Sequence, residues 1–265
     1  MAEHILLERE FATNASPLKD EPTTKPSYDA LSEKEQEAYR ALYQAAWLHR
    51  DSVTVDGLSA DEVWDIYTRM RYDSPEIFEL EFGVTTNSTT ISTMAENTIV
   101  TVDYSYLADH SETDIMRAEM AEQVNSAAAL VDEVVGDQAK AAVLHDWLCE
   151  KVVYDKEDAD PMVHASYGAL CQGKAVCEGY ALAYDLICDK AGLPARVVVG
   201  CMDYISDPGL AHAWNIVSSN GEDFYVDTTF DDGWPVSKQY FWRDKAFMDR
   251  NGYIPYENNV FPEEA

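Results

Sequence analysis

Asn220-Gly221 constrains this chain more than any other pair of residues. The dipeptide suits a type I′ turn, whose central residues need positive φ and whose twist matches the strands it joins. Before it, His212 begins an alternating run, with Ala213, Asn215 and Val217 on one face and Trp214 and Ile216 on the other. After it come Phe224, Tyr225, Val226, Asp227 and Thr228. A period of two is the pattern of a strand with two different faces, so the reading is an antiparallel hairpin. In a hairpin the numbers of paired residues have a constant sum, here about 441, set by the turn. His212 and Asp227 fall two short of that sum and are expected nearly opposite each other. Paired residues stand about 5 Å apart at Cβ, which lets a carboxylate accept from an imidazole.

Upstream lies YGALCQGKAVCEGYALAYDLICDKAGLPARVVVG. Gly173 breaks the chain before Cys177. Val176, Tyr180, Ala183, Tyr184 and Ile187 then recur at helical intervals, and Gly192 with Pro194 stops the helix. Cys177 is therefore expected in the first turn. There the free N–H groups and the positive end of the helix dipole favour a thiolate. The same N–H groups suit an oxyanion formed when a carbonyl is attacked. The apolar run from Arg196 to Gly200 reads as a buried strand. Singly, a cysteine, a histidine and an aspartate have ordinary readings as a packed thiol, a structural ring and a strand-end cap. Together Cys177, His212 and Asp227 form the set that nucleophilic catalysis needs: a nucleophile, a base and an acceptor that orients the base.

Composition limits the partners. With 19 basic and 49 acidic residues the formal charge is −30, which repels phosphate backbones and anionic lipid heads. Nucleic acid and membrane insertion are not expected; a protein or peptide substrate is. The five cysteines, Cys149, Cys171, Cys177, Cys188 and Cys201, form no CxxC pair. They read as reduced thiols, with no metal and no cofactor implied. The N-terminus has charges of both signs and no long apolar run, unlike a secretory signal. A cytoplasmic protein is the expectation, or a secreted or surface-exposed one if a signal has been removed.

Residues 1–30, rich in proline and polar groups, read as a poorly ordered lead-in. Ser32 with Glu35 and Ser59 with Glu62 are capping boxes that open helices. Strands are expected in IFELEFGVTT, TISTM and TIVTVDYSYL. A helix is expected over about 111–135, stopped by Gly136, and another over about 137–151 with Val143, Leu144, Trp147 and Leu148 on one face. Residues 31–135 read as a helical and β accessory region, and 136–265 as the unit that carries the chemistry.

The blocks GKAVCEGYA…AGLPARVVVG, HAWNIV and FYVDTTFDD resemble the transglutaminase-like superfamily, a branch of the papain-like fold. The resemblance covers about 140–245, and LHDWLCEKVVYD, with Tyr154, is similar to the family's helix leading into the core. It implies Cys177 as nucleophile, His212 as base and Asp227 as orienter. The expected fold is α+β, with the nucleophile helix packed on an antiparallel sheet of about 196–201, 212–219, 223–230 and a strand near 239–243. The expected function is cysteine-dependent cleavage of an amide bond through a thioester, as a protease or amidase. Protein-glutamine cross-linking and a non-catalytic scaffold are the alternatives.

Papain-like enzymes add an upstream Gln to the oxyanion hole, which points to Gln172; a solvent-facing loop residue is the other reading. Transglutaminases use an indole, but the nearest upstream one, Trp147, has core spacing. Trp214 either covers the imidazole or packs between layers. Asp231 and Asp232 read as surface charge. His145 and His164 have no partners in register and both read as structural, His164 being the better candidate for a group supporting the nucleophile.

Overall fold

A computed structural model of the chain describes residues 25–81, 90–94, 99–203 and 208–257. The lead-in expected over 1–30 lies outside the described residues as far as 24; from there the chain enters a short helix, α1 (Pro26–Asp29). Both capping boxes form. Ser32 and Glu35 exchange side-chain and backbone bonds ahead of α2 (Glu33–Trp47). Next comes strand β1 (Ser52–Asp56), and Ser59 and Glu62 open α3 (Ala60–Asp73) in the same way.

Strands β2 (Thr90–Met94) and β3 (Ile99–Asp103) join β1 in an antiparallel sheet of order β1-β3-β2. Val55 and Val100, paired across β1 and β3, turn a buried face to Tyr39, Leu42, Val63, Ile66 and Met70 of α2 and α3. IFELEFGVTT departs from its expected strand. Ile77 N–H donates to Ser74 O, which makes a turn, and among the described residues of the stretch only Leu80 forms a bridge, to Tyr106. Every side chain from Ile77 to Leu80 is buried, so the apolar run reports enclosure rather than a strand. Residues 82–86 of that stretch lie outside the described residues.

Helix α4 (His110–Ala129) ends before the expected 135. The chain continues through three-residue turns, with Leu130 and Val131 donating to Ala127 and Ala128. Gly136, at φ +94°, stands at the entry to α5 (Asp137–Lys151) instead of stopping α4. In α5 the expected face is observed. Leu144 and Leu148 are buried, and Val143 and Trp147 pack against the same cluster.

Strands β4 (Val153–Tyr154) and β5 (Lys174–Ala175) make a short parallel pair with Tyr154 opposite Ala175. Between them lie a 3₁₀ turn at Pro161–His164 and a π turn at Gly168–Gln172. Helix α6 (Cys177–Lys190) is buried all the way from Glu178 to Cys188. The enclosed stretch includes two charged residues, Glu178 and Asp185. Ala181 and Leu182 meet β6 (Ala195–Asp203) and β7 (Pro208–Ser219) through Val197, Val199 and Ala213. Tyr180, Ala183, Tyr184 and Ile187 face the cluster that holds Val124 of α4 and Leu144 and Leu148 of α5.

The last sheet is fully antiparallel. After β8 (Glu222–Val226) come the short helices α7 (Thr228–Asp231) and α8 (Lys245–Arg250), then β9 (Tyr253–Pro255). The order is β8-β7-β6-β9. The strand expected near 239–243 is reduced to one bridge, Arg243 to Tyr225; the fourth position, beside β6, belongs to β9. The fold is thus mixed α+β, with the Cys177 helix laid on an antiparallel sheet.

Candidate active site

Cys177 is the first residue of α6 and is half-buried. The residue before it, Val176, takes the cap position in extended geometry and supplies no side-chain bond. Serine, threonine, aspartate and asparagine are the usual caps because their oxygens satisfy first-turn N–H groups. A valine cannot, so the helix meets the Cys177 side chain with amides that no cap has engaged.

The hairpin obeys its turn. Asn220 and Gly221 have φ of 53° and 81°, and Asn215 pairs with Val226, Val217 with Phe224 and Ser219 with Glu222. That register keeps the sum of 441 read from the sequence. Asp227, however, is not a strand residue facing His212. Strand β8 stops at Val226, and Asp227 becomes the cap of α7, its Oδ1 accepting from Phe230 N–H at 3.0 Å. His212 reaches it diagonally, two positions along β7, with Nε2 2.6 Å from Asp227 Oδ2. Diagonal neighbours in a sheet are separated by about 7–8 Å, within reach of a ring and a carboxylate. One side chain with two oxygens thus both caps α7 and lies against His212.

Cys177 completes the row, its side chain hydrogen-bonded to His212. With Nε2 turned to Asp227, Nδ1 is the ring nitrogen left for sulfur. Burial opposes charge on His212, but the Asp227 carboxylate and its hydrogen bond, reinforced by Cys177, outweigh burial and push the pKa up to about 10. Such an imidazole holds a proton at neutral pH and favours an anion beside it.

Residues 125–234 match the transglutaminase-like superfamily.

That range contains Cys177, His212 and Asp227, and it places this part of the chain among proteins of a general cysteine-enzyme kind. Among solved structures, a TGase is 16% identical with a TM-score of 0.39, covering 61% of this chain and 48% of its own. A candidate cysteine protease from Cytophaga hutchinsonii is 15% identical with a TM-score of 0.37, covering 53% and 61%. A candidate protease from Parabacteroides distasonis is 11% identical with a TM-score of 0.33, covering 52% and 35%. The chain thus spans about half the length of the TGase. No curated protein matches it.

Two aromatic residues not singled out in the sequence complete the surroundings of Cys177, His212 and Asp227. Tyr253 of β9 donates its hydroxyl to Asp227 Oδ2 at 2.6 Å. Phe230 stacks on His212 with centroids 4.5 Å apart and planes at 23°. Trp214 is farther, at 6.1 Å, and packs with Val198, Met202, Ile216 and Tyr253, so the close cover of the imidazole comes from Phe230. Phe230 sits three residues past Asp227, where a helix capped by Asp227 turns it back toward the capping residue. That spacing is a usable signal. Tyr253 has none, because β9 reaches the site only through the sheet.

Gln172 ends the π turn and is exposed, with no hydrogen bond to the site among the described residues. Gly173, at φ +68°, turns the chain after it. His164 is in contact with the residue after Cys177: its Nδ1 lies 3.0 Å from Glu178 Oε2. Trp147 is packed against the core, under Lys151.

The expectation for Asp231 is corrected, and His145, read as structural, has Asp231 as its partner. Asp231 is fully buried and not surface charge, because α7 folds it inward. It accepts from Tyr240 N–H at 3.1 Å and lies 3.2 Å from His145 Nε2. Asp232 also has a partner, the Tyr180 hydroxyl at 2.7 Å. His145 ties α5 to α7, and so supports the turn that carries Asp227. Burial first, then neighbouring carboxylates, push the nearby Cys149 thiol far up, so it packs as a neutral group. All five cysteines are free. Among the described residues no group of three His, Cys, Asp or Glu could hold a metal, and no helix is long and apolar enough to cross a membrane.

Proposed function

We propose that the chain is a cysteine-dependent amide-bond enzyme that works through a thioester on Cys177, with hydrolysis of peptide or carboxamide substrates as its main reaction. The observation that carries the reading is His212. It is hydrogen-bonded on one side to Cys177 and on the other to Asp227, beside a helix start with no side-chain cap.

In the proposed reaction Cys177 Sγ attacks the carbonyl carbon as a thiolate. The oxygen gains the electron pair of the carbonyl π bond and is held by first-turn N–H groups of α6, Cys177 N–H first. The tetrahedral adduct collapses and the C–N bond breaks. His212 gives its proton to the leaving amine, and the acyl group remains on sulfur. A water molecule, deprotonated by His212, then attacks the thioester and releases acid and thiol. Asp227 keeps the ring aligned and favours its charged form. Phe230 excludes water from one face of the ring.

Selective alkylation tests the proposal. Limiting iodoacetamide at pH 7, with the modified cysteines then mapped, is expected to label Cys177 well ahead of the other four. His212→Ala is expected to abolish that preference. Label spread evenly over the cysteines, or a pattern indifferent to His212→Ala, sinks the reading. A glutamine-containing peptide incubated with and without a primary amine then separates release of acid from transfer to the amine.

A further inference from the structure

The 3₁₀ turn at Pro161–His164 crosses the start of α6. Val176 N–H donates to Val163 O at 3.0 Å. The crossing is close because Gly179 has no side chain: a Cβ there would stand 2.4 Å from Val163 O and 3.1 Å from Ala165 O. His164 closes it. Its Nδ1 lies 3.0 Å from Glu178 Oε2, and its Nε2 lies 2.7 Å from Asp158 Oδ1. Glu178 is the next residue after Cys177 and is only 6% exposed. The hydroxyl of Tyr72, in α3, also reaches Glu178. The proposed reaction uses none of these groups.

We propose that His164 is a positioning residue for Cys177, acting through Glu178: it cancels the charge of the carboxylate beside the nucleophile and holds the turn against the helix start. The inference rests on Cys177 being the nucleophile.

A carboxylate in the first turn of a helix is favourable to the helix itself. Beside a thiolate it is a like charge, and like charges a few ångströms apart oppose each other's ionisation. Burial worsens the conflict, since little water reaches Glu178 to screen it. A cation on the far side of the carboxylate leaves a neutral pair. Burial disfavours charge on His164, but the hydrogen bond and charge of Glu178 outweigh burial, and Asp158 adds to them, raising its pKa to about 9. His164 therefore keeps its proton at neutral pH, with its charge against the Glu178 carboxyl group. The other titratable groups facing Cys177 are His212 of β7, Tyr72 of α3 and Tyr154 of β4. Burial first holds both phenols in the protonated form, so neither brings a competing negative charge. Arg71 of α3 is a buried cation beside Tyr72, and His164 sets its ring nitrogen 3.0 Å from Glu178 Oε2, so the conflict falls to Glu178 and His164 answers it at close range.

Four proteins test this: wild type, His164→Asn, Glu178→Gln and the double variant. The measurement is the rate of iodoacetamide modification at Cys177, mapped by mass spectrometry from pH 5 to 9. His164→Asn is expected to slow the reaction at pH 7 by about tenfold and to move the rate profile to higher pH. Adding Glu178→Gln is expected to restore the rate, and Glu178→Gln alone to react at least as fast as wild type. An unchanged profile in His164→Asn overturns the inference. So does a loss that Glu178→Gln leaves unrepaired, since a merely structural histidine would behave that way. A slower single Glu178→Gln variant overturns it as well. Wild-type label scattered over the five cysteines overturns the nucleophile reading and this inference with it. Selective wild-type labelling with either failed variant result overturns the inference alone.

Discussion

Tyr253 donates its hydroxyl to the same oxygen of Asp227, Oδ2, that lies against His212 Nε2; both contacts are 2.6 Å. One carboxylate oxygen is thereby fixed by a group beyond Cys177 and His212, while the other caps α7. Tyr253→Phe keeps the ring against Trp214, whose centroid is 5.0 Å away, and removes only the donor. Leaving a buried carboxylate short of a hydrogen bond costs about 1–3 kcal/mol. Urea unfolding should show a loss of that size with the slope unchanged. A variant as stable as wild type would mean that Asp227 does not depend on this hydroxyl.

Asp227→Asn separates the two duties of the side chain. An amide oxygen still accepts from Phe230 N–H, so α7 should persist. The charge that raises His212 is gone. Amide turnover is expected to fall by on the order of 10²–10⁴, the usual size of an acid–base contribution. The pH dependence of stability changes too. His212 has a folded pKa of about 10, above its unfolded value of about 6.5. Its stabilisation is therefore present below about pH 6.5 and lost as pH rises through 10. Unfolding curves from pH 6 to 10 should decline less steeply in Asp227→Asn than in wild type, and parallel curves would contradict the pairing.

Asp73 and Glu76 predict a trend in the acid range. Burial first raises Asp73 to about 6 and Glu76 to about 7, against the opposing pull of Ser27 and Lys25 on Asp73 and of Tyr43 on Glu76. Unfolded carboxyls titrate near about 4. Between these values the folded chain binds more protons than the unfolded one at these two carboxyls, so their contribution to stability falls as pH rises from about 4 to 7 and is constant above that. The melting temperature should be higher at pH 5 than at pH 7.5. Glu76→Gln, which can still accept from Tyr43, should shrink the difference. An identical drop in the variant would assign the trend to the general negative charge instead.

Gly200, which pairs with His212, has no room for a methyl group. A Cβ would stand 2.3 Å from Ile254 O and 2.6 Å from the Trp214 ring. Gly200→Ala must move β9, and with it Tyr253. Overpacking of this kind costs about 1–3 kcal/mol. Turnover should fall by more than in Tyr253→Phe, because the strand shifts as well as the hydroxyl. A fully active, fully stable variant would show that β9 is not needed to hold Asp227.

What could be read in the sequence was mostly local. Asn220-Gly221 carries its own turn chemistry, so the pairing of Asn215 with Val226 is already set by it. The capping boxes at Ser32 and Ser59 likewise close within four residues. The place of Asp227 was less legible, because a strand's end is decided by the residues beyond it: Phe230 N–H draws the chain into α7. Tyr240, Phe241 and Trp242 have strand-like composition, yet beside β8 the segment makes, among the described residues, only the bridge of Arg243 to Tyr225 and the bond from Asp227 N–H to Tyr240 O, while Tyr253–Pro255 pairs with β6 at the opposite edge. His164 and Glu178 are 14 residues apart and meet because Gly179 lets a turn cross the helix, a packing event that no periodicity announces.

Lys25, at the edge of the described chain, has its ammonium 3.1 Å from Asp185 and 2.6 Å from Asp189, both on α6. Asp185 is wholly enclosed. Stripping one partner from a buried ion pair destabilises by about 3–5 kcal/mol. Lys25, Tyr72 and Tyr253 all lie outside residues 125–234. The stretch that bears the family's signature is therefore not a portable module. Excised on its own, it would carry an unanswered carboxylate through the middle of its main helix and lose the tyrosine that steadies Asp227.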